Sequence, residues 1–565
     1  MPPSLLRKIG FIFLALGWLA YDHYRPWASF HSEALAFAGL GFIALNVSFW
    51  RCSSLAPQLI TVIFAVALIP WLQYAAGIII YAGDAVLVSL YVVGFAIAIW
   101  TGFYLAIKPA ECANSDGVSS EKLIAPIFEV IWFVAVVSAA IGLLQWLSLQ
   151  EPLGMYVVQT EPGDRARANL GQPNHLASLL LMGIASFAYG YENKRIGRVG
   201  LIVGSIFLTL VLVLTQSRAG MVSALVITIF LLCISTKFES RIKAPYIVCW
   251  FLIFVAGIFA LPHISDFLLM SGVRGMKTGT DSERMLIWNQ VVSAISQSPI
   301  LGYGWNQTTA VQTFGSLKVP GDTTYTYAHN FFLDIISWNG VPLGLSIISF
   351  CALWFLSRLY ALRQTRACYA MCGLLVVAVH SMFEYPYAYG YFLVTTGLMI
   401  GIVEASHLKT KTIKIKSRWL AFGICTWFAM GSYLAYEYLL VEEDFRVVRF
   451  ENLRIGQTPI DYKAPNILML SQMASMLKAA RQQASPGMPK ADLENLRRAS
   501  LRFSYGPLSL RYALALGLNG NPAAASRQMA IIRGMYGERY YQAAVNVLRQ
   551  HQREKYPELS QVMAP

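Results

Sequence analysis

Residues 325–344 read YTYAHNFFLDIISWNGVPLG, and here a long polar loop gives way to an apolar helix. His329 and Asn330 stand at that junction. Asn330 is an apt N-cap for a helix that begins at Phe331, because its side-chain oxygen can accept from the first orphan amides. His329 then lies at the positive end of the helix. An imidazole there can accept a proton from an attacking hydroxyl near neutral pH. Taken alone, the same residue also reads as an interfacial His bonded to loop carbonyls, so the rest of the chain has to decide.

Of 565 residues, 56% are hydrophobic and only 13% charged, against about 25% charged in ordinary soluble domains. Long apolar runs with so little charge predict an all-α, polytopic transmembrane bundle. Apolar segments fall near 9–24, 34–50, 57–72, 85–107, 124–147, 174–191, 199–215, 219–236, 245–262, 331–356, 368–383, 387–406 and 418–438. That gives about thirteen spans, with a re-entrant segment as the alternative around Pro70-Trp71. The first run leads into Asp22-His23-Tyr24 without a small-residue cleavage site, so it reads as a span, not a cleaved signal.

Basic residues set the expected orientation. Arg7 and Lys8 precede the first span, and alternate loops carry Arg51, Lys108 and Lys122, Lys194 to Arg198, Lys237 to Lys243, Arg358 to Arg366, and Lys409 to Arg418. By the positive-inside rule these face the cytoplasm. The net charge of +14 is thereby mainly topological, and a nucleic-acid partner is not indicated. The N-terminus is then cytoplasmic, the loop 263–330 periplasmic, and the C-terminal region outside. The eight cysteines, among them Cys52, Cys112, Cys368 and Cys372, fall in or towards the cytoplasmic half, so no disulfide framework is implied.

Five regions follow: an N-terminal transmembrane region 1–120, a transmembrane core 121–262, the large periplasmic loop 263–330, a second core segment 331–439, and a soluble helical region 440–565. In the last, helices are expected near 465–483, 489–503, 507–518, 522–535 and 538–552. LRYALALGLNGNPAAASRQMAIIRGMYG (510–537) reads as helix, Gly-Asn-Pro turn, helix, a tetratricopeptide-like hairpin signal.

Arginines on the outer side oppose the orientation rule, and charge at the membrane is costly unless used. Arg218 lies in TQSRAG, with Ser217 as N-cap of the following span. Arg284 lies in TDSERMLIWNQ, at the start of an amphipathic loop helix, and Arg25 in DHYRPW. A lone arginine of this kind more often snorkels to headgroups. As a set they suit bidentate bonding to phosphate oxygens, with helix N-termini adding N–H donors. The spans opening at Gln172-Pro173-Asn174-His175, Ser217-Arg218 and His329-Asn330 would form such a collar. Gln172 and Asn174 suit sugar hydroxyls or helix capping, capping being the simpler role for Asn174. His380 and Glu384, four apart in HSMFEYPYAYGYF, share a helix face. Two ligands without a third do not make a metal site, and a His–Glu bond closing a helix end is the simpler reading. The tyrosines 385, 387, 389 and 391 fit an interfacial belt. No GxxxxGKS loop, GxSxG elbow or DxD-like pair occurs, so neither an ATP-driven pump nor a metal-dependent glycosyl transfer is indicated.

The order of motifs, QPN, then SRAG, then ERxxxW and AHNxxL, resembles the O-antigen ligase and polymerase superfamily of bacterial inner membranes. DHYRPWASFHSE (22–33), PWLQYAAGIIIYAGDA (70–85), HSMFEYPYAYGYF and the helical tail resemble its protein O-oligosaccharyltransferase, PglL-type, branch. The resemblance implies a metal- and nucleotide-free, inverting transfer of a glycan from undecaprenyl diphosphate to a Ser or Thr hydroxyl of a periplasmic protein, often a pilin. It makes His329 the essential loop His and Arg218 and Arg284 the diphosphate-binding arginines. Gln172, Asn174, His175, Asn330, Arg25, His380 and Glu384 are further candidates for the substrate site. An O-antigen ligase acting on lipid A core and an O-antigen polymerase share this chemistry. A lipid-linked glycan flippase belongs to another class, but the polar groups gather at one face and no inverted repeat is visible.

Overall fold

The computed structural model describes residues 3–21, 23–48, 54–107, 119–234, 237, 240–268 and 280–563. Asp22, Arg51, Cys52, Lys108, Cys112, the ends of the expected spans at 49–50 and 235–236, and residues 269–279 of the large loop lie outside them.

All thirteen apolar segments are helical: α1 Pro3–Leu19, α2 Phe30–Ser48, α3 Leu59–Ala75, α4 Ala82–Ile107, α5 Ser120–Trp146, α6 Pro173–Glu192, α7 Arg198–Leu214, α8 Arg218–Ile234, α9 Ala244–Phe267, α12 Phe331–Tyr360, α13 Thr365–His380, α14 Gly390–Ala405 and α15 Ser417–Leu453. Between α9 and α12 come α10 Thr280–Ile295 and α11 Thr308–Gly315, and after α15 come α16 Ser471–Arg481, α17 Lys490–Arg502, α18 Gly506–Leu518 and α19 Pro522–Glu554. Among the described residues, α2, α4, α5, α9 and α12 are long and apolar enough to cross a membrane, and α3, α7, α8, α13 and α14 are shorter apolar helices. Large side chains on their outward faces, such as Leu72, Phe259 and Leu353, are exposed, as a lipid-facing surface requires. The chain is a polytopic membrane protein.

The all-α expectation needs one small amendment. Strand β1 (Ser54–Pro57) pairs antiparallel with β2 (Thr412–Ile415) in a short ribbon. Pro57 ends β1 and takes no interior place in a sheet.

The helices form two compact units. The first comprises Met1–Val66, Tyr91–Lys277 and Ala352–Gly431, the second Ala67–Leu90, Thr278–Cys351 and Ser432–Pro565. In the first unit, helices meet through small residues, as expected where packing and not hydrophobicity drives association. A Cβ on Gly39 of α2 would sit 2.7 Å from the Gly10 carbonyl of α1, and one on Gly401 of α14 2.2 Å from the Ile99 carbonyl of α4.

In the second unit, the tail buries Met529, Ile532, Tyr541 and Leu548 of α19 against Ala513 and Leu518 of α18, and Leu496 and Ala499 of α17 against Ala479 and Leu508. The polar change expected at residue 440 falls inside α15, which runs unbroken for 37 residues, about 55 Å at 1.5 Å per residue.

Helix α12 departs from the sequence reading. The expected single span 331–356 is interrupted at Gly340, whose φ of 76° and ψ of 167° are non-helical. Only glycine fits: a Cβ there would lie 2.0 Å from the Ile300 carbonyl. The Phe331–Asn339 half is held by the preceding loop through Tyr303 N to Ser337 O (2.9 Å) and Gly304 N to Trp338 O (3.0 Å). Its last turn is held again by Gln73, whose Nε2 donates to Trp338 O at 2.9 Å while its Oε1 accepts from Trp305 N at 2.9 Å.

Candidate active site

In the second unit, His329 precedes the first half of α12 in the left-handed conformation, φ 55°. For a residue other than glycine this costs on the order of 1–3 kcal/mol and persists only where neighbours impose it. The neighbours are visible on both sides. Asn330 caps α12 as expected, its Oδ1 accepting from Phe332 N (3.0 Å) and Leu333 N (3.1 Å). Ala328 N donates to both oxygens of Asp334 at 3.0 and 3.1 Å. Asp334 is fully buried and also accepts from Thr308 Oγ1 at 3.0 Å, which in turn accepts from Trp338 Nε1 at 2.9 Å.

The carbonyl of Ala328 accepts from the indole of Trp288 in α10 at 2.9 Å. Arg284 stands one turn earlier on that helix. Tyr325 links the two parts: its ring meets the His329 ring edge-on at 6.1 Å and its hydroxyl donates to Glu283 O at 3.4 Å. Burial, with the charges of Glu283 and Asp322 adding to it, pushes the Tyr325 phenol above its ordinary range, so it remains a neutral donor. Beneath them, Ile287, Val291, Val311 and Ala328 form a buried core. Arg284, His329 and Asn330 thus share one small framework.

In the first unit, three motifs converge. Asn174, second residue of α6, does not cap that helix. Its Oδ1 accepts from Ser217 Oγ at 2.7 Å and its Nδ2 donates to Glu384 Oε1 at 3.0 Å. The capping reading for Asn174 is therefore replaced by a tertiary bridge between α8 and the end of α13. Gln172 occupies the N-cap backbone position of α6 without a side-chain cap bond. Ser217 does cap α8, accepting from Gly220 N at 3.0 Å, and Arg218 follows it as the first helical residue.

His380 bonds through Nδ1 to Ser178 Oγ at 2.8 Å. His175 lies 5.3 Å from the His380 ring and 4.5 Å from that of Tyr389. Its Nδ1 meets Tyr391 OH at 3.3 Å, and its Nε2 is buried without a hydrogen-bond partner among the described residues. His175, His380 and Glu384 are all buried. Arg25 lies exposed in the loop between α1 and α2. From the same N-terminal signature, His23 Nε2 bonds Asn169 O at 2.7 Å, and Glu33, buried in α2, accepts from Tyr91.

The second unit offers an imidazole on a strained, fixed backbone and an arginine near the start of α10. The first, taken by itself, offers an arginine at the start of α8, and at such helix starts amides and guanidinium can meet an anion. Sequence reasoning missed Asp334 and Thr308, and it gave no defined role to Trp288 of ERxxxW or to Gln73. An acid in the first turn of an apolar helix was the one available signal, for Asp334.

These motifs lie inside regions shared with known proteins. A family profile described as "O-Antigen ligase" matches residues 203–348, which include SRAG, ERMLIW and AHN. One described as "Protein glycosylation ligase" matches 166–189, which include QPN. One described as "Virulence factor membrane-bound polymerase, C-terminal" matches 368–551. The chain is similar to a General O-oligosaccharyltransferase of Acinetobacter baylyi, 28% identical over 411 residues, covering 71% of this chain and 70% of that protein. It is also similar to a ComP-specific O-oligosaccharyltransferase of the same organism, 27% identical over 419 residues, covering 72% and 73%.

Fold, motifs and likenesses together define a membrane-embedded glycosyltransferase. Within that class, the chain belongs to the O-antigen ligase family, in its PglL-type O-oligosaccharyltransferase branch.

Proposed function

We propose that this enzyme transfers a preassembled glycan from undecaprenyl diphosphate to a Ser or Thr hydroxyl of a periplasmic protein, a pilin being the class of acceptor that the family resemblance suggests. The chain would sit in a bacterial inner membrane with its N-terminus cytoplasmic and residues 440–565 periplasmic. His329 accepts the hydroxyl proton as the acceptor oxygen bonds to the anomeric carbon. The bond from that carbon to the phosphate oxygen breaks with inversion, and the diphosphate departs with its added negative charge. Arg218 and Arg284 offset that charge, as paired donors do for phosphate. Asn330 fixes the helix start beside the base. Asn174, His175, His380, Glu384 and Gln172 shape the glycan-facing side, and Arg25 meets the carrier lipid at the surface.

The observation that carries this reading is His329 itself, held in a conformation that costs free energy by Asp334 and Asn330 on either side. Other loop residues of this chain, such as Lys194 and Arg454, share the conformation; at His329 it coincides with an imidazole placed directly before a capped helix start.

The test is a purified reaction with undecaprenyl-diphosphate-linked oligosaccharide and a candidate acceptor protein, read by intact mass. His329→Ala and Arg218→Ala should abolish the glycan mass increment while both proteins still insert. Unchanged product in either variant would refute the assignment. Because residues 368–551 match a polymerase profile, lipid-linked donor alone and donor with lipid A core are run in parallel. Longer glycan chains from donor alone would identify a polymerase, glycan on lipid A core a ligase, and no new glycosidic bond in any arm a flippase.

A further inference from the structure

Within the first unit, away from the residues assigned to transfer, α6, α7, α8, α9 and α13 enclose a crevice of about 450 Å³. Small-molecule sites typically occupy ~300–1,000 Å³. Its interior is largely apolar, formed by residues such as Leu181, Ala185 and Ile227. Polar groups of its wall are turned to partners in the protein: Trp250 Nε1 donates to Thr209 Oγ1 at 2.8 Å, Thr209 Oγ1 to Ser205 O at 2.6 Å, and Tyr369 OH to Glu192 at 3.4 Å. Such a lining gives water few groups to bond to. The crevice also opens sideways: Ile202, Ile206 and Ile253 on its edge are 49%, 51% and 48% exposed, on helices whose outer faces meet lipid.

Its polarity is graded along the helices. At the end where α6 and α8 finish and α7, α9 and α13 begin, the lining changes to Arg198, Ser240, Arg241 and Thr365. Among the described residues, the carboxylate of Glu192 also stands there. It accepts from Ser240 Oγ (2.5 Å), Arg241 N (3.0 Å) and Ile242 N (3.1 Å), so its charge is met by local donors. The Arg241 guanidinium lies 4.0 Å from the Tyr191 ring centroid and donates to the Tyr191 carbonyl. That contact uses one of the five N–H donors a guanidinium carries. Arg198 is exposed at the start of α7.

A largely apolar slot, open to the bilayer and rimmed by two arginines, matches an amphiphile with an apolar chain and an anionic head. We propose that this crevice binds one anionic glycerophospholipid of the surrounding membrane. An acyl chain lies along α6, α7 and α9, and the headgroup phosphate meets Arg198 and Arg241. The site is separate from the donor-binding residues assigned above, so it can fail or hold independently of the transfer mechanism.

The experiment uses the full chain in nanodiscs of equal phosphatidylglycerol and phosphatidylcholine, with retained lipid measured by native mass spectrometry after gentle release. One phosphatidylglycerol should be retained in preference to phosphatidylcholine. Combining Arg198→Ala with Arg241→Ala should remove that preference, a drop of about tenfold for two charge-assisted contacts. Ala188→Phe leaves both arginines in place and fills the slot, and it should displace the lipid altogether. Glycosylation by each variant in detergent serves as the folding control. Equal retention of the two lipids by the unaltered protein would overturn the proposal. So would retention unaffected by either change in a variant that still glycosylates, or displacement of the phosphatidylglycerol by added undecaprenyl phosphate.

Discussion

Trp288 donates its indole N–H to the carbonyl oxygen of Ala328 at 2.9 Å. The bond joins two motifs forty residues apart and explains why they occur together. Arg284 and Trp288 are one helical turn apart and so lie on neighbouring positions of α10, while Ala328 is the residue before His329. The helix that carries Arg284 is thereby fastened to the peptide that precedes His329.

Replacing Trp288 by Phe keeps an apolar ring against Ile287 and Ala328 but removes the donor. The loss of one neutral hydrogen bond is worth about 0.5–1.5 kcal/mol. On the mechanism proposed above, transfer should fall by about 3- to 10-fold in kcat, with the KM for lipid-linked donor little changed, because there the bond positions His329 and not the donor. Steady-state kinetics of the purified variant decide this, and an unaltered kcat would show that the bond is incidental.

Asp334 is the second support of the same peptide. Its two oxygens receive Ala328 N and one of them also receives Thr308 Oγ1. Asp334→Asn keeps the shape but turns one acceptor into an NH₂ group facing donors. Hydrogen bonds to charged groups contribute about 1.5–3 kcal/mol, so the expected loss of transfer is about 10- to 100-fold at normal expression. Full glycoprotein yield from this variant would remove Asp334 from the account.

The sequence makes these apolar segments legible because a bilayer permits only internally bonded helices or closed barrels, and each of them is a helix. The Asn330 and Ser217 caps were legible too, since capping depends on amides two or three positions away. What hydropathy does not reveal is which distant group a polar side chain will choose. Asn174 gives up its local helix for Ser217 and Glu384, 43 and 210 residues away. Gln73 bonds to Trp305 and Trp338 more than two hundred residues on. The break in α12 was hidden for a different reason. Trp338-Asn339-Gly340-Val341-Pro342 carries turn-forming residues, but the apolar run on both sides masks a single non-helical residue.

That break yields a further prediction. Gly340→Ala must place a Cβ 2.0 Å from the Ile300 carbonyl on a residue whose φ is 76°. The clash is with backbone and cannot be relieved by turning a side chain. A cost of at least about 1–3 kcal/mol is expected from the conformation alone, displacing the Phe331–Asn339 half from the loop at 299–304. Limited proteolysis of this loop in detergent should accelerate markedly in the variant. Cleavage at the rate of the unaltered protein would contradict the broken-helix arrangement.

The tail provides the last test. Arg502 of α17 donates through Nε and Nη2 to the two oxygens of Asp84, at 2.9 and 2.8 Å, and the Asp84 side chain is wholly buried. Burial pulls the Arg502 guanidinium down, but the Asp84 charge and these bonds outweigh it and leave the group above its ordinary range. A raised cationic group contributes stability that is present below its ordinary value and lost only as pH rises past the folded one. For an arginine both lie beyond about pH 12, so Arg502 brings no pH dependence to stability at working pH. Removing one partner is another matter. Asp84→Ala leaves a buried guanidinium uncompensated, at a cost of about 3–5 kcal/mol, and α17 should be released to protease. Asp84→Leu combined with Arg502→Met replaces both charges by apolar groups, and such replacements are often neutral or stabilising. Thermal unfolding in detergent should therefore rank the unaltered protein and the double variant together, well above Asp84→Ala. If the double variant were as unstable as the single one, the pair would have a role beyond charge compensation, and its contribution to the fold would need another explanation.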